Sequence, residues 1–315
     1  MGLHPSFKSF LFPEKCSNQT LKGKTIAVDS YIVLYKLLTT TVKENGDFYY
    51  LDGKNVSHIL GFSWSYEKFF KKLNINPIFV FDGKPLQEKY DTLNDRKEKK
   101  QEALQKYKQA SKENNIEDMK KFSARTVKIT PDIVSSFKEY ISTLGYSYVD
   151  AVHDAEALCA ELVNTGLADY CLTQDTDTIL YGCDKIIRNL KLSETGDYEL
   201  VSTKRILDKT KLTLNQLIYL AIITGTDYNN GIYGIGVNKG LKYIAGANSI
   251  EEVVDRLLNN NLLNRQEINN LTKKYKASFN IFKEKQGITE KDIIKSTENK
   301  EKRNYILMKI YSNNN

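Results

Sequence analysis

Two aspartates, Asp175 and Asp177, stand two residues apart in "LTQDTDTILYG", directly after the apolar run "YCLTQ". Five more acids fall at comparable places: Asp29 closes "KTIAVD", Asp82 closes "NPIFVFD", Asp154 and Glu156 open "DAEALCAELV", and Asp227 lies in "TGTDY". Taken singly, each has an ordinary explanation. Asp154 suits a helix N-cap, Glu156 the positive end of a helix dipole, and Asp82-Gly83 a turn. Asp29 is likewise placed to begin a turn, and Asp227 to cap a helix end. Brought to one place, these carboxylates repel one another unless cations lie between them. Oxygen-only ligands suit Mg²⁺ or Mn²⁺ rather than zinc. Two such ions about 4 Å apart are suited to in-line displacement at phosphorus, activating water and clamping the attacking and leaving oxygens.

Other chemistries find less support. His4, His58 and His153 are scattered and lack H-E-x-x-H spacing. No G-x-S-x-G elbow occurs, and "GKT" at Gly23–Thr25 precedes a strand without the upstream glycine of a phosphate loop. Cys16, Cys159, Cys171 and Cys183 form no C-x-x-C pair, and three lie in apolar stretches. They read as reduced, mostly buried thiols of an intracellular protein. At 315 residues and 41% hydrophobic the chain can bury a large core, and its net charge of +7 is compatible with nucleic acid. No apolar run approaches membrane-spanning length and no signal-peptide core is present, so no membrane association is expected. "MGLHPS" matches the loose myristoylation pattern, which is short and often met by chance.

The acids need elements to position them. "KTIAVD", "NPIFVFDG", "YSYVDA" and "YCLTQ" read as strands, and "KIIRNLKLSETGDYELVS" as a hairpin turning at Gly196. Helical periodicity follows in "SYIVLYKLLTT", "HILGFSWSYEKFFKKL", "PDIVSSFKEYISTLG" and "DAEALCAELVNTG", and again from Leu214. Alternating strands and helices predict an α/β fold with a mainly parallel central sheet flanked by helices. Such sheets bind ligands beyond the carboxyl ends of their strands, where Asp29, Asp82, Asp175 and Asp177 stand. From Lys84 to Lys128 the chain is strongly charged, with basic residues in excess of acids. There Lys89 and Arg96, seven apart, share one helical face. Gly234 and Gly236 fit a tight hairpin between helices, where backbone amides approach a phosphate closely, and Lys239 and Lys242 add charge. The polar tail "STENKEKRNYILMKIYSNNN" is expected to fray.

"AVDSYIVLY", "FVFDGKP", "DAEALCAELV", "TQDTDTILYG" and "ITGTDYNNGIYGIGVNKG" occur in the order and spacing of the structure-specific 5′ nucleases, and the chain most resembles the flap endonucleases. The likeness runs from Gly2 to about Leu258. It implies a PIN-like 5′ nuclease fold with a helical arch at about 84–128 and a helix–hairpin–helix-type DNA-binding motif at about 214–245. By position it implies metal-binding carboxylates at Asp29, Asp82, Asp154, Glu156, Asp175, Asp177 and Asp227. Lys89 and Arg96 take the family's catalytic places over the scissile phosphate, where they would stabilise developing charge. DNA contacts are implied at Gly2, Tyr35, Arg125, Lys128, Gly234, Gly236, Lys239 and Lys242; for Tyr35 the role is base stacking, with a core tyrosine as the alternative. Departures are visible: the family has Glu where this chain has Asp154, often an acid where it has Gln174, and a second N-terminal glycine where it has "HPSF". After Leu258 the match fades, the segment completing a 3′-flap pocket is shortened, and no Q-x-x-[ILM]-x-x-[FY]-[FY] sliding-clamp motif is present.

The resemblance thus implies a Mg²⁺-dependent phosphodiesterase with two ions (Mn²⁺ as substitute), and a K⁺ ion at the helix–hairpin–helix-type motif. Its substrate would be branched or flapped DNA, in replication or repair. The layout expected is a nuclease domain over 1–265, with an N-terminal region 1–105 and an internal region 129–230, then a short helical extension over 266–315. A monomer working in the nucleus or wherever DNA is replicated is expected. Two alternatives stay open: a 5′→3′ exonuclease of the same superfamily, and a DNA-junction binder without catalysis.

Overall fold

The computed structural model of the chain describes residues 3–43, 47–113, 115–264 and 268–314. The strands are β1 (Glu14–Ser17), β2 (Thr25–Asp29), β3 (Tyr50–Leu51), β4 (Lys54–Asn55), β5 (Asn76–Phe81), β6 (Ser147–Asp150), β7 (Tyr170–Leu172), β8 (Ile186–Arg188) and β9 (Asp197–Val201). All but the small β3–β4 hairpin join one sheet in the order β1-β9-β8-β7-β2-β5-β6. From β8 to β6 the strands are parallel, as expected; β9 and β1 extend the sheet antiparallel. The sequence gives no sign of β1, because "EKCS" is largely exposed and lacks apolar alternation. Pairing with β9 alone makes it a strand.

Period-two alternation sorts the core into two layers. Ile26 and Val28 of β2, with Phe79 and Phe81 of β5, face one layer; Ala27, Ile78 and Val80 face the other. Between β2 and β5 run α1 (Ser30–Thr40), α2 (Ser57–Trp64) and α3 (Tyr66–Lys72). The last two replace the single helix expected over "HILGFSWSYEKFFKKL". At Ser65 the backbone leaves the helical region (φ −120°, ψ −84°), and its hydroxyl donates to the Gly61 carbonyl at 2.5 Å, competing with the helical ladder. The break lets α2 bury nearly all its residues while α3 brings Phe69 and Phe70 to the same aromatic core.

Between β5 and β6 come α4 (Tyr90–Lys112), α5 (Ile116–Thr126) and α6 (Pro131–Thr143). The first two pack along each other, and the 23 residues of α4 extend roughly 34 Å at 1.5 Å per residue. Beyond β6 lies α7 (Ala155–Asn164), and beyond β9 lie α8 (Thr203–Thr210), α9 (Leu214–Thr224), α10 (Val237–Ile244), α11 (Ile250–Asn259), α12 (Ile268–Lys283) and α13 (Lys300–Asn314). Helices α1, α2, α3, α6 and α13 cover the aromatic layer; α7 and α9 to α12 cover the other.

The tail departs from the frayed end expected of it. Helix α13 runs to Asn314 and buries Ile310. Its Arg303 reaches the buried Glu67 at 2.7 Å, and Tyr311 accepts a hydrogen bond from the Trp64 indole at 2.9 Å. The Asn314 amide both accepts from the Tyr50 amide and donates to the Tyr50 carbonyl. Asparagines that read as solvated thus pair with an exposed strand. Among the described residues no helix is long and apolar enough to cross a membrane.

The strand order also fixes where a ligand fits. The chain moves outward from β2 to β5 to β6, then returns to β7 on the other side of β2. A crevice opens at that reversal, beyond the carboxyl ends of β2 and β7.

Candidate metal centre and its helical roof

Asp29 closes β2 at the crevice. Its carboxylate caps α1 by accepting from the Ile32 amide at 3.3 Å, and accepts the Thr173 hydroxyl at 2.9 Å from across the reversal. Thr173 Oγ1 in turn accepts from the Asp175 amide, and Asp175 Oδ1 from the Asp177 amide, each at 3.1 Å. At the end of β5, Asp82 accepts from the Ala155 amide at 2.7 Å and so caps α7 from a neighbouring strand. Asp154 occupies the N-cap position of α7 but makes no capping bond. The ordinary explanation for Asp154 therefore fails, because Asp82 has taken its task. Gly83 allows this closeness: a Cβ there would lie 2.1 Å from the Ala151 carbonyl oxygen.

Freed from capping, Asp154 meets Lys89 Nζ at 2.5 Å through Oδ1 and the Tyr228 hydroxyl at 2.5 Å through Oδ2. Glu156, one residue into α7, lies 3.6 Å from the same ammonium. Asp82, Asp154 and Glu156 each place an oxygen within 4.8 Å of the others, close enough to share an ion. The remaining acids crowd around them. Burial, then Asp82, pushes Asp29 up to about 7. Burial, then Asp175 and Asp227, pushes Asp177 well above the carboxylate range. Glu156 is raised by burial and held down in part by Lys89. Asp82 is raised by burial against the pull of the Ala155 amide and Lys89.

Asp177 tests whether these residues suit a cation. It is 1% exposed, and neither carboxylate oxygen has a hydrogen-bond partner. A buried carboxylate is costly unless paired, hydrogen-bonded or bound to metal. An orphaned acid beside a set of oxygen donors fits a hard divalent ion.

Helix α4 roofs the crevice. Lys89 stands in the 3₁₀ turn before it, and Thr92 and Arg96 follow at helical spacing. Lys89 is buried; that alone would favour the neutral amine, but Glu156 and Asp154 outweigh it and hold the ammonium charged. Arg96 Nη2 meets Asp227 Oδ2 at 2.5 Å, and the Thr92 hydroxyl donates to the Asp227 carbonyl at 2.8 Å. Both expected cations therefore face the acids from one helical face. Gln174 is exposed and its side chain turns toward the Asn189 amide, outside the cluster.

The residues expected to contact DNA lie on several elements. Tyr35 projects from α1 at 47% exposure, which removes the core-tyrosine alternative. Arg125 ends α5 with its guanidinium over the Phe122 ring, and Lys128 follows that helix. Gly2 lies outside the described residues. The connector from α9 to α10 spans residues 225–236 and holds two turns rather than one tight hairpin. The first carries Asp227 to the acids. The second carries Gly234 at φ +74°, and Gly236 caps α10. Gly231 joins them, where a Cβ would lie 2.2 Å from the Thr224 carbonyl. Lys239 and Lys242 are exposed, with Lys239 donating to the Gly234 carbonyl at 3.1 Å. The N-terminal segment docks at the same place despite its missing glycine: the Leu3 amide donates to Thr176 Oγ1, and Ser6 Oγ accepts from the Val237 amide.

Several residues of the centre escape the sequence reading. Thr173, Thr92 and Tyr228 carry no charge and fit no acid pattern. Their only signal is adjacency: Tyr228 follows Asp227, Thr173 precedes Gln174-Asp175, and Thr92 lies between Lys89 and Arg96 at i+3.

Known proteins resemble this chain in sequence and in fold. The family model of the XPG N-terminal domain matches residues 1–103, and that of the XPG I-region matches residues 145–227. Flap endonuclease 1 of Methanobrevibacter smithii is 33% identical over 237 residues, covering 75% of this chain and 72% of that protein. Its counterpart in Methanosphaera stadtmanae is 34% identical over 254 residues, covering 80% and 77%. The chain belongs to the flap endonuclease family. Among solved structures, flap endonuclease-1 from Methanococcus jannaschii superposes with a TM-score of 0.67 at 28% identity, covering 96% of this chain and 91% of that one. The catalytic core of Rad2 in complex with DNA substrate gives 0.62 at 29% identity, covering 88% and 80%. The two XPG models leave residues 104–144 unmatched, a span holding the last turns of α4 and all of α5 and α6.

Proposed function

We propose that this chain is a structure-specific 5′ flap endonuclease, hydrolysing a DNA phosphodiester near a single-strand/double-strand junction. One observation carries the reading. Acids from five separate segments gather at the sheet's reversal point beneath Lys89, in the turn before α4, and Arg96 of α4, and Asp177 among them is buried with neither carboxylate oxygen hydrogen-bonded. Two divalent ions, Mg²⁺ with Mn²⁺ as substitute, would supply activated water and neutralise the phosphate. Asp82, Asp154 and Glu156 would hold one, and Asp175, Asp177 and Asp227, with Asp29 behind, would complete the set.

The chain's own groups then divide the work. Lys89 and Arg96 approach the scissile phosphate from α4 and stabilise the charge that gathers on its oxygens. Tyr35 stacks on a terminal base, worth about 1–3 kcal/mol. Gly234 and Gly236 let backbone amides meet a duplex phosphate, with K⁺, Lys239 and Lys242 adding positive charge; Arg125 and Lys128 guide the single strand, and Gly2 adds a further DNA contact. Contacts of this kind position DNA without reading its sequence, so binding falls steeply with salt. The layout proposed is a monomeric nuclease domain over 1–265 with an extension over 266–315, acting on branched DNA where DNA is replicated or repaired, in the nucleus for a nuclear host.

The test is a 5′-labelled flap beside a nicked duplex, with Mg²⁺ or EDTA, for the wild type and Asp175→Asn. A single Mg²⁺-dependent cut at the junction, lost in the variant while DNA binding survives, is expected. A ladder of short products from the nick would make the chain a 5′→3′ exonuclease. Binding without cleavage in either metal would make it a junction-binding protein.

A further inference from the structure

Asp154 is shorter by one methylene than the glutamate that the flap endonucleases carry there, and its position is set from the far side of the crevice. The Tyr228 hydroxyl donates to its Oδ2 at 2.5 Å, inside the protein. The face of the same ring lies 5.6 Å from Lys89 Nζ, within cation–π range. One side chain thus touches both members of the Lys89–Asp154 pair. Behind it, the Tyr181 hydroxyl meets the Tyr228 hydroxyl at 2.9 Å. Phe282 of α12 packs against both rings, at 5.2 Å from Tyr181 and 5.3 Å from Tyr228. Tyr228 is itself 5% exposed, and its bond to Asp154 is buried. The phenol has a single proton to give, and the bond to Asp154 uses it; Tyr181 supplies the proton that Tyr228 accepts.

We propose that Tyr228 is a positioning residue of the metal centre. Its hydroxyl, backed by Tyr181 and Phe282, holds the Asp154 carboxylate in place beside Asp82 and Glu156, and its ring holds Lys89 beside them. This rests on the nuclease reading, since it assigns Asp154 to a metal. Partners that orient a ligating carboxylate govern metal affinity, and their loss typically costs 10–100-fold. The hydroxyl touches no substrate, so its effect passes through the metal.

The experiment is calorimetric titration of Mn²⁺ into the full chain without DNA, for wild type, Tyr228→Phe and Tyr181→Phe, with melting in EDTA to show that each is folded. Tyr228→Phe keeps the ring and removes the donor. It is expected to weaken Mn²⁺ binding by about tenfold or more, and to raise the Mn²⁺ concentration that half-saturates cleavage more than it lowers the rate at saturating Mn²⁺. Tyr181→Phe, one bond further away, is expected to weaken Mn²⁺ by a smaller factor. Mn²⁺ affinity equal to wild type in Tyr228→Phe would overturn the assignment. Should that variant not fold, unchanged affinity in Tyr181→Phe would do the same. A wild type that binds no Mn²⁺ would overturn the nuclease reading and this assignment with it, whereas wild-type binding with no effect of either tyrosine overturns this assignment alone.

Discussion

Two acids lie almost equally deep in this protein, and they are treated in opposite ways. Glu67 of α3 is 2% exposed, and Asp177, beyond β7, is 1% exposed. Around Glu67 the fold has gathered Arg303 at 2.7 Å, Lys71 at 3.1 Å and the Tyr140 hydroxyl at 2.7 Å. Around Asp177 it has gathered two further acids and left both oxygens unpartnered. The first is a charge whose place in the fold is to pair, tying α13 to α3 and α6. The second is affordable only if something outside the chain completes it. Depth of burial does not separate a structural acid from a functional one; the presence or absence of partners does.

The sharpest way to break this comparison is to neutralise each acid in turn. Glu67→Gln weakens the pairing of Arg303 and Lys71, both partly exposed, and should lower stability by about 1.5–3 kcal/mol, while any shift in melting temperature on adding Mn²⁺ stays as in wild type. Asp177→Asn should do the reverse. It removes a carboxyl whose ionisation burial, Asp175 and Asp227 oppose more than Lys89 favours, so the metal-free protein should melt at the same temperature or higher. Flap cleavage should fall on the order of 10²–10³-fold, and the Mn²⁺ stabilisation should shrink. Melting curves of both variants with EDTA and with Mn²⁺, beside a flap assay, decide it. If Asp177→Asn destabilised the metal-free chain as Glu67→Gln does, Asp177 would be an ordinary paired acid and the distinction would fail.

A second test varies pH. In the metal-free chain Asp29 holds its proton up to about 7 because burial and Asp82 disfavour its charge. Between the ordinary carboxylate range and that value, the folded chain keeps a proton that the unfolded chain has released. Stability must then fall as pH rises through the window, about 1.4 kcal/mol for each tenfold difference in proton affinity. Asp177 and Glu156, raised for the same reason, push in the same direction. Melting in EDTA from about pH 5 to about pH 8 should therefore show a decline, and Mg²⁺ at the upper end should recover it. The aromatic layer opposes this trend from one side: burial lowers His58 to about 3, so that residue costs stability as pH falls below its ordinary value. A melting temperature that rises through the window in EDTA would show that the acids are compensated within the chain.

The same contrast explains what the sequence discloses and what it withholds. The parallel strands are legible because they are continuous apolar runs, and the acids because each ends such a run or opens a helix. Their partners are not legible, since no local pattern joins Glu67 to Arg303 across 236 positions or Tyr228 to Asp154 across 74. That Asp82 rather than Asp154 caps α7 follows only from the parallel register of β5 and β6. The break at Ser65 is invisible to periodicity because both halves remain apolar on the core side. The tail differs from its expected end for a related reason: asparagines are polar in composition, but here their amides bond to the edge of a strand.

The smallest effect sharpens the comparison where the roof meets the acids. Lys89, Thr92 and Arg96 tie α4 to Asp154 and Asp227 in the metal-free chain, two through charge and one through a neutral hydroxyl. Neutral hydrogen bonds contribute about 0.5–1.5 kcal/mol, and Thr92 touches the Asp227 carbonyl rather than its carboxylate. Thr92→Ala should therefore leave Mn²⁺ affinity close to wild type and loosen α4 alone. Hydrogen exchange of the amides around residues 90–100 should quicken by a few-fold, in line with a loss of about 1 kcal/mol or less, while exchange in the β2–β5 core stays unchanged. Were Mn²⁺ affinity to fall as well, the roof and the acids would form one unit, and the carboxylates would depend on α4 for their arrangement as Glu67 depends on α13.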